Sequence, residues 1–233
     1  ALMAAVHGLD RAKGLDLLLH TPGGDLAATE SIVDYLHKMF GGGIRAIVPQ
    51  LAISAGTMIA CSCKEIIMGK QSNLGPIDPQ FGGIPAHGVL KEFDEAIAAV
   101  KADPASTPIW QVVVGKYHPT FIGECRHALK WSTEMVQQWL ERSMFKGKKD
   151  YKARALKAVE YLGDHDHTKS HARHIPVEEA EKLLKIIRLE KDDELQDLVL
   201  TVHHSFMHTF ANSAAVKIVE NQMGSALMSM RTK

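Results

Sequence analysis

Apolar positions along this chain group alternately into short runs and helical stripes. Leu17, Leu18 and Leu19 form a run closed by Thr21-Pro22-Gly23-Gly24, which predicts a buried strand over 16–20 that ends in a turn. Ile32, Val33, Leu36, Met39 and Phe40 then share one face of a helix over 27–40, stopped by Gly41-Gly42-Gly43. A second strand over 45–48, a loop through Pro49, a helix opening near Ser54 and a third strand over 65–68 follow. This alternation predicts a mostly parallel sheet with right-handed crossovers, helices on its faces and a ligand site at the carboxyl ends of the strands.

Beyond this core the pattern changes. Residues 69–86 are rich in Gly, Pro, Asn and Asp and predict a long irregular segment, the kind that carries function more often than not. A helix is expected over 87–101, a proline-punctuated stretch over 102–119, and helices over 121–145, 151–162, 177–184 and 193 to about 223. The expected division is an α/β domain over 1–190 and a helical extension over 191–233 that serves as an oligomer contact. Leu2 to Leu9 already reads as helix directly after Ala1, so the chain is expected to be a fragment or processed form, with an N-terminal strand missing.

Composition narrows the class of protein. With 233 residues and 45% hydrophobic content the chain can bury a full core. Its 27 basic and 27 acidic residues cancel, which removes the long-range attraction that nucleic acid or an anionic membrane requires. Cys61, Cys63 and Cys125 are odd in number and lack zinc spacing, so they are expected to be buried thiols in a reducing compartment. No apolar run reaches the roughly eighteen residues of a membrane span and no leader is evident, so the expected location is cytoplasmic.

Two turns carry candidate chemistry. Gly23 and Gly24 permit a sharp turn with an N–H pointing outward. Ala55 and Gly56 follow Ser54 in the first turn of a helix, where N–H groups lack partners and the helix dipole favours negative charge. Together they can form an oxyanion pocket. A serine at a helix start is ordinarily an N-cap, and it is the pairing of the two turns that favours the chemical reading.

These residues carry a resemblance. His20-Thr21-Pro22-Gly23-Gly24-Asp25-Leu26 resembles the Ser-Pro-Gly-Gly turn of ClpP and signal peptide peptidase A, and Ile53-Ser54-Ala55-Gly56-Thr57-Met58 resembles their nucleophile helix, at a similar spacing of 30 residues from Gly24 to Ser54. Leu74-Gly75-Pro76-Ile77-Asp78-Pro79-Gln80 resembles the signature of the serine dehydrogenase proteinase family, and Ile175-Pro176-Val177-Glu178-Glu179-Ala180 resembles its late helix. The fold implied is α/β and ClpP/crotonase-like, a mostly parallel sheet with flanking helices, to which the helical C-terminal extension is added. The activity implied is peptide-bond hydrolysis through an acyl-enzyme on Ser54, with Gly23, Gly24 and Ala55 at the oxyanion hole.

The base is less defined. The histidine of a ClpP triad would fall near Ile77 or Asp78, where none stands, and the triad aspartate would fall at Ala172, after His171. A Ser-Lys dyad, as in signal peptide peptidase relatives, is met by Lys91, 37 residues after Ser54, provided burial keeps it neutral. The competing reading is a solvated helix lysine. His87, one helical turn earlier, and His171 are alternative bases. Asp164-His165-Asp166-His167, with His171 and His174, has metal-ligating side chains but no ligand spacing, and reads as a polar loop; no metal or cofactor is expected. His203, His204 and His208 read as packing or interface residues.

Three functions fit: a serine peptidase, a crotonase-type acyl-CoA enzyme using the same kind of oxyanion hole, and a scaffold that kept the fold without the base. The peptidase reading implies peptide or unfolded-protein substrates, a homo-oligomer, and any ATPase as a separate partner, because no P-loop is present.

Overall fold

The structure is a computed structural model that describes residues 2–164 and 173–231. In chain order its first elements are α1 (Leu2–Val6), β1 (Leu15–Leu18), α2 (Leu26–Phe40), β2 (Ile44–Val48), β3 (Leu51–Ala52), α3 (Ala55–Ser62), β4 (Glu65–Met68) and β5 (Asn73–Leu74). A small hairpin, β6 (Gln80–Phe81) and β7 (Ile84–Pro85), leads into α4 (Ala86–Ala102), α5 (Thr107–Val114), α6 (Phe121–Arg142) and α7 (Tyr151–Gly163). The chain then forms β8 (Ile175–Pro176), α8 (Val177–Ala180), β9 (Ile186–Arg188), α9 (Asp193–Asn212), β10 (Ala215–Glu220) and β11 (Ala226–Met230).

The main sheet is parallel, as expected, in the order β1-β2-β4-β9. Because side chains alternate across a strand, each strand supplies two faces. Ala46, Val48, Ile66 and Met68 point into the larger core with Val33 and Leu36 of α2, Val136, Trp139 and Leu140 of α6, and Val159 and Leu162 of α7. Ile47 and Ile67 point the other way, onto Leu189 and Val199. A second sheet, β3-β5-β8, sits beside the first and holds the chain on either side of Ser54 and Gly75. Helix α2 starts where the Asp25 carboxylate accepts from the Ala28 N–H at 2.8 Å and stops at Gly41. The three cysteines are buried free thiols, and burial raises the pKa of each: Cys63 to about 12, with Cys61 and Cys125 raised as well.

Several expected boundaries need correction. The 102–119 stretch contains a 3-10 turn over Pro104–Ser106 and helix α5: Pro104 and Pro108 lie in the first turn of each, where a missing N–H costs nothing. The 177–184 helix is only the short α8, and Ile186–Arg188 beyond it forms the fourth strand of the main sheet. The C-terminal extension is not wholly helical, for α9 ends at Asn212 and residues 215–230 form an antiparallel hairpin. Val216, Ile218 and Val219 are β-branched, and Asn221 to Gly224 makes the turn, so extended backbone wins over a continued helix. The hairpin turn is fastened to α1 by Asn221 Nδ2, which donates to the Ala5 carbonyl at 2.6 Å.

Leu140, fully buried on α6 within the larger core, provides a test of this packing. Leu140→Ala is expected to lower unfolding free energy by about 2–5 kcal/mol, measured by urea denaturation, because the cavity collapses only partly.

Candidate functional site

The carboxyl end of β1 continues to Thr21, which pairs with the segment entering α3. Thr21 N–H donates to the Leu51 carbonyl at 3.1 Å, and Ile53 N–H donates to the Thr21 carbonyl at 3.0 Å. These two bonds lay Thr21-Pro22-Gly23-Gly24 directly beside Ile53-Ser54-Ala55. The approach is tight: a Cβ built on Gly23 would lie 2.9 Å from the Ser54 Cβ and 3.4 Å from its Oγ. Gly23 has φ +127, so both its conformation and its surroundings require glycine.

Ser54 itself stands at φ 53, ψ −117, a region that non-glycine residues rarely occupy, immediately before α3. Its side chain makes no cap hydrogen bond and, among the described residues, its Oγ has no hydrogen-bond partner. The ordinary N-cap role is therefore absent. The surroundings hold this backbone in place. Thr57 Oγ1 donates to the Ala52 carbonyl at 2.7 Å and accepts from Gly75 N–H at 2.9 Å, which fixes α3 to both flanking loops. Residues 74–78 are buried, and a Cβ on Gly75 would come within 2.7 Å of Ile53 Cγ2.

The N–H groups of Gly23, Gly24 and Ala55 are in different states. Gly23 N–H donates to Thr21 Oγ1 at 3.1 Å. Gly24 and Ala55 N–H have no acceptor among the described residues, and the Cβ of Ala55 lies 4.0 Å from where a Cβ on Gly24 would be. Two open donors thus lie in adjoining segments, one in each turn.

The expected bases are placed differently. Lys91 and His87 lie on α4, which packs on α6; Lys91 is exposed and His87 half-buried. Neither hydrogen-bonds to Ser54 Oγ. Asp78, at the place a triad histidine would occupy, is buried. His171, with Ala172 and His165 to His167, lies outside the described residues. Among the described residues no group of three or more His, Cys, Asp or Glu is placed to hold a metal ion, and no helix is long and apolar enough to cross a membrane.

Behind the turn is a histidine pair that periodicity alone did not connect. The rings of His20 and His203 lie 4.9 Å apart, and His203 Nε2 is 3.2 Å from Gln50 Oε1. His203 is buried and lines a cleft of about 440 Å³ between Pro49, Gln50 and Gln71 on one side and Leu200, His204 and Met207 on the other. It is a packing residue, as its place in the helix suggested, whereas His204 and His208 are exposed. Burial lowers the pKa of His20 and His203, and for His203 the neighbouring His20 and His204 lower it further. Thr21 and Thr57 were also missed as site residues: the motif positions were visible, but their hydrogen bonds join segments distant in sequence.

Residues 1–111, a little under half of the chain, match the sequence model of the ClpP-like SDH-type serine proteinases, and with the parallel sheet this establishes the ClpP-like character of the fold. An uncharacterized protein of Methanocaldococcus jannaschii is 39% identical over 102 residues, 44% of this chain and 35% of that protein. A second uncharacterized protein of that organism is 42% identical over 79 residues, 34% of this chain and 27% of that protein. The chain's match thus spans about a third of the length of these curated relatives.

The histidine shifts set a pH dependence. Groups with a lowered folded pKa bind fewer protons in the folded than in the unfolded chain, so stability is full above the ordinary histidine value of 6.5 and is lost as pH falls through it. The melting temperature is expected to drop between about pH 7 and pH 5, and His203→Gln is expected to flatten that slope. Thermal melts across this range check both.

Proposed function

We propose, for a chain whose first 111 residues match the ClpP-like SDH-type serine proteinases, that it hydrolyses peptide bonds through an acyl-enzyme on Ser54. The observation that carries this reading is Ser54 held at φ 53 without a cap bond, beside two open N–H donors. Backbone strain of this kind persists only where the surroundings enforce it, and it gathers at reactive positions. In the proposed reaction Ser54 Oγ attacks the peptide carbonyl carbon and its proton passes to a base. The carbonyl oxygen becomes an oxyanion held by Gly24 and Ala55 N–H, with the start of α3 adding its dipole. Gly23 shapes the turn, since its own N–H is taken by Thr21. Collapse expels the amine, which receives the proton, and water then releases the acyl group by the reverse sequence.

Lys91 is the proposed base, with His87 and His171 as alternatives. A lysine base must be neutral, and Lys91 is exposed in the isolated chain, so a covering surface from substrate or a second subunit would have to dehydrate it. The proposal therefore includes a homo-oligomer acting on peptides or unfolded chains in the cytoplasm, with any ATPase a separate partner. The open donors are equally the chemistry of a crotonase-type enzyme. The exposure of Lys91 is the observation that favours a scaffold without activity.

A fluorophosphonate probe is expected to label the wild-type chain and not Ser54→Ala; a wild-type chain that stays unlabelled under native conditions supports the scaffold. Gly23→Ala, which drives a Cβ onto Ser54, is expected to reduce the labelling rate at least about 100-fold, in line with losing an oxyanion contact. Lys91→Ala is expected to abolish peptide hydrolysis in a folded protein, and retained hydrolysis would move the role to His87.

A further inference from the structure

We infer that Thr21 is the positioning residue of the oxyanion pair: its hydroxyl sets the two peptide planes of the Pro22-Gly23-Gly24 turn, and its backbone and methyl join that turn to the Ser54 segment. This rests on the peptidase reading for its catalytic consequence, though not for its geometry.

Thr21 Oγ1 lies 3.1 Å from Gly23 N and 3.2 Å from Gly23 O, accepting from the first and donating to the second. Gly23 N belongs to the Pro22–Gly23 peptide plane, and Gly23 O to the Gly23–Gly24 plane. A trans peptide is rigid, with its C=O and N–H pointing in opposite directions. Holding Gly23 O therefore fixes the direction of Gly24 N–H, which points away from the Thr21 hydroxyl. The same hydroxyl occupies Gly23 N–H, leaving Gly24 as the open donor of this turn. Without the hydroxyl, a glycine pair has many accessible conformations, and the plane can rotate.

The rest of the residue sets the distance between the two donors. Thr21 pairs by two backbone bonds with Leu51 and Ile53. Its Cγ2 lies only 2.6 Å from where a Cβ on Gly56 would stand, so the methyl rests on the first turn of α3. One half-buried side chain thus touches both elements that supply an N–H, and fixes one to the other. Donors placed in advance cost no reorganisation when the charge develops, so the effect belongs in kcat.

The test is Thr21→Val, which keeps the branched shape and the methyl but removes the hydroxyl, beside Thr21→Ser, which keeps the hydroxyl. With the full chain and a fluorogenic peptide, Thr21→Val is expected to lose about 10- to 100-fold in kcat with KM within about twofold, and Thr21→Ser to recover most of it. The fluorophosphonate labelling rate of Ser54 should fall in parallel. Amide exchange followed by NMR gives a readout free of activity: Gly23 N–H should exchange at least about tenfold faster in Thr21→Val than in wild type or Thr21→Ser. Unchanged Gly23 exchange in Thr21→Val, a loss confined to KM, or equal losses in both variants would each overturn the assignment. If Thr21→Val fails to fold, a folded Thr21→Ser that has lost more than about tenfold in labelling rate overturns it too. A wild-type chain that neither cleaves nor labels removes the peptidase reading alone, and the exchange comparison still decides the role of Thr21.

Discussion

Two backbone hydrogen bonds, Thr21 N–H to the Leu51 carbonyl and Ile53 N–H to the Thr21 carbonyl, bring the glycine-bearing turn after β1 against the segment after β3 that opens α3. The placement of Ser54 against the Gly23-Gly24 turn depends on them. Past the end of the β1-β2 pairing they join the chain after β1 to β3, so the turn after β1 lies beside the start of α3. Neither turn alone holds more than an unpaired N–H. Set side by side, with glycine at position 23 because a Cβ there would crowd Ser54, they place the open N–H groups of Gly24 and Ala55 in adjoining segments.

The strain at Ser54 follows from the same arrangement. Ile53 is pinned by Thr21 on one side and packed against Gly75 on the other, while Thr57 ties the first turn of α3 to Ala52 and Gly75. The chain must turn from extended to helical within one residue, and φ 53 at Ser54 is where it does so. The buried segment 74–78 is thus less a loop than a support, which explains why a stretch rich in glycine and proline lies inside the protein.

The other face of the sheet is held mainly by α9, whose buried residues are Val199 and His203. His203 reaches Gln50 and the ring of His20, which precede the Ser54 segment and the Gly23-Gly24 turn. A neutral imidazole suits that place and a charged one does not, so the packing of the last helix and the protonation of this pair are physically linked.

The sequence by itself determined the local elements whose cause is local. The run at Leu17 to Leu19, the stripe from Ile32 to Phe40 and the glycines at 23 and 41 fix a strand, a helix and two turns, since each is dictated by neighbours within a few residues. It also marked Ser54 and the Gly23-Gly24 turn, because both motifs are contiguous. The 193–223 helix failed at Asn212 because an apolar stretch such as Ala215 to Val219 suits either period, and only pairing with Ala226–Met230 selects the strand. Ile186–Arg188 became a strand because β4 offered it an edge. Most of all, the release of Ser54 from a capping role and the exposure of Lys91 were decided by tertiary structure, whereas the capture of Gly23 N–H by Thr21 spans only two residues. The first two depend on contacts between segments 30 or more residues apart, or on what surrounds a helix face, and no local pattern in the chain encodes either.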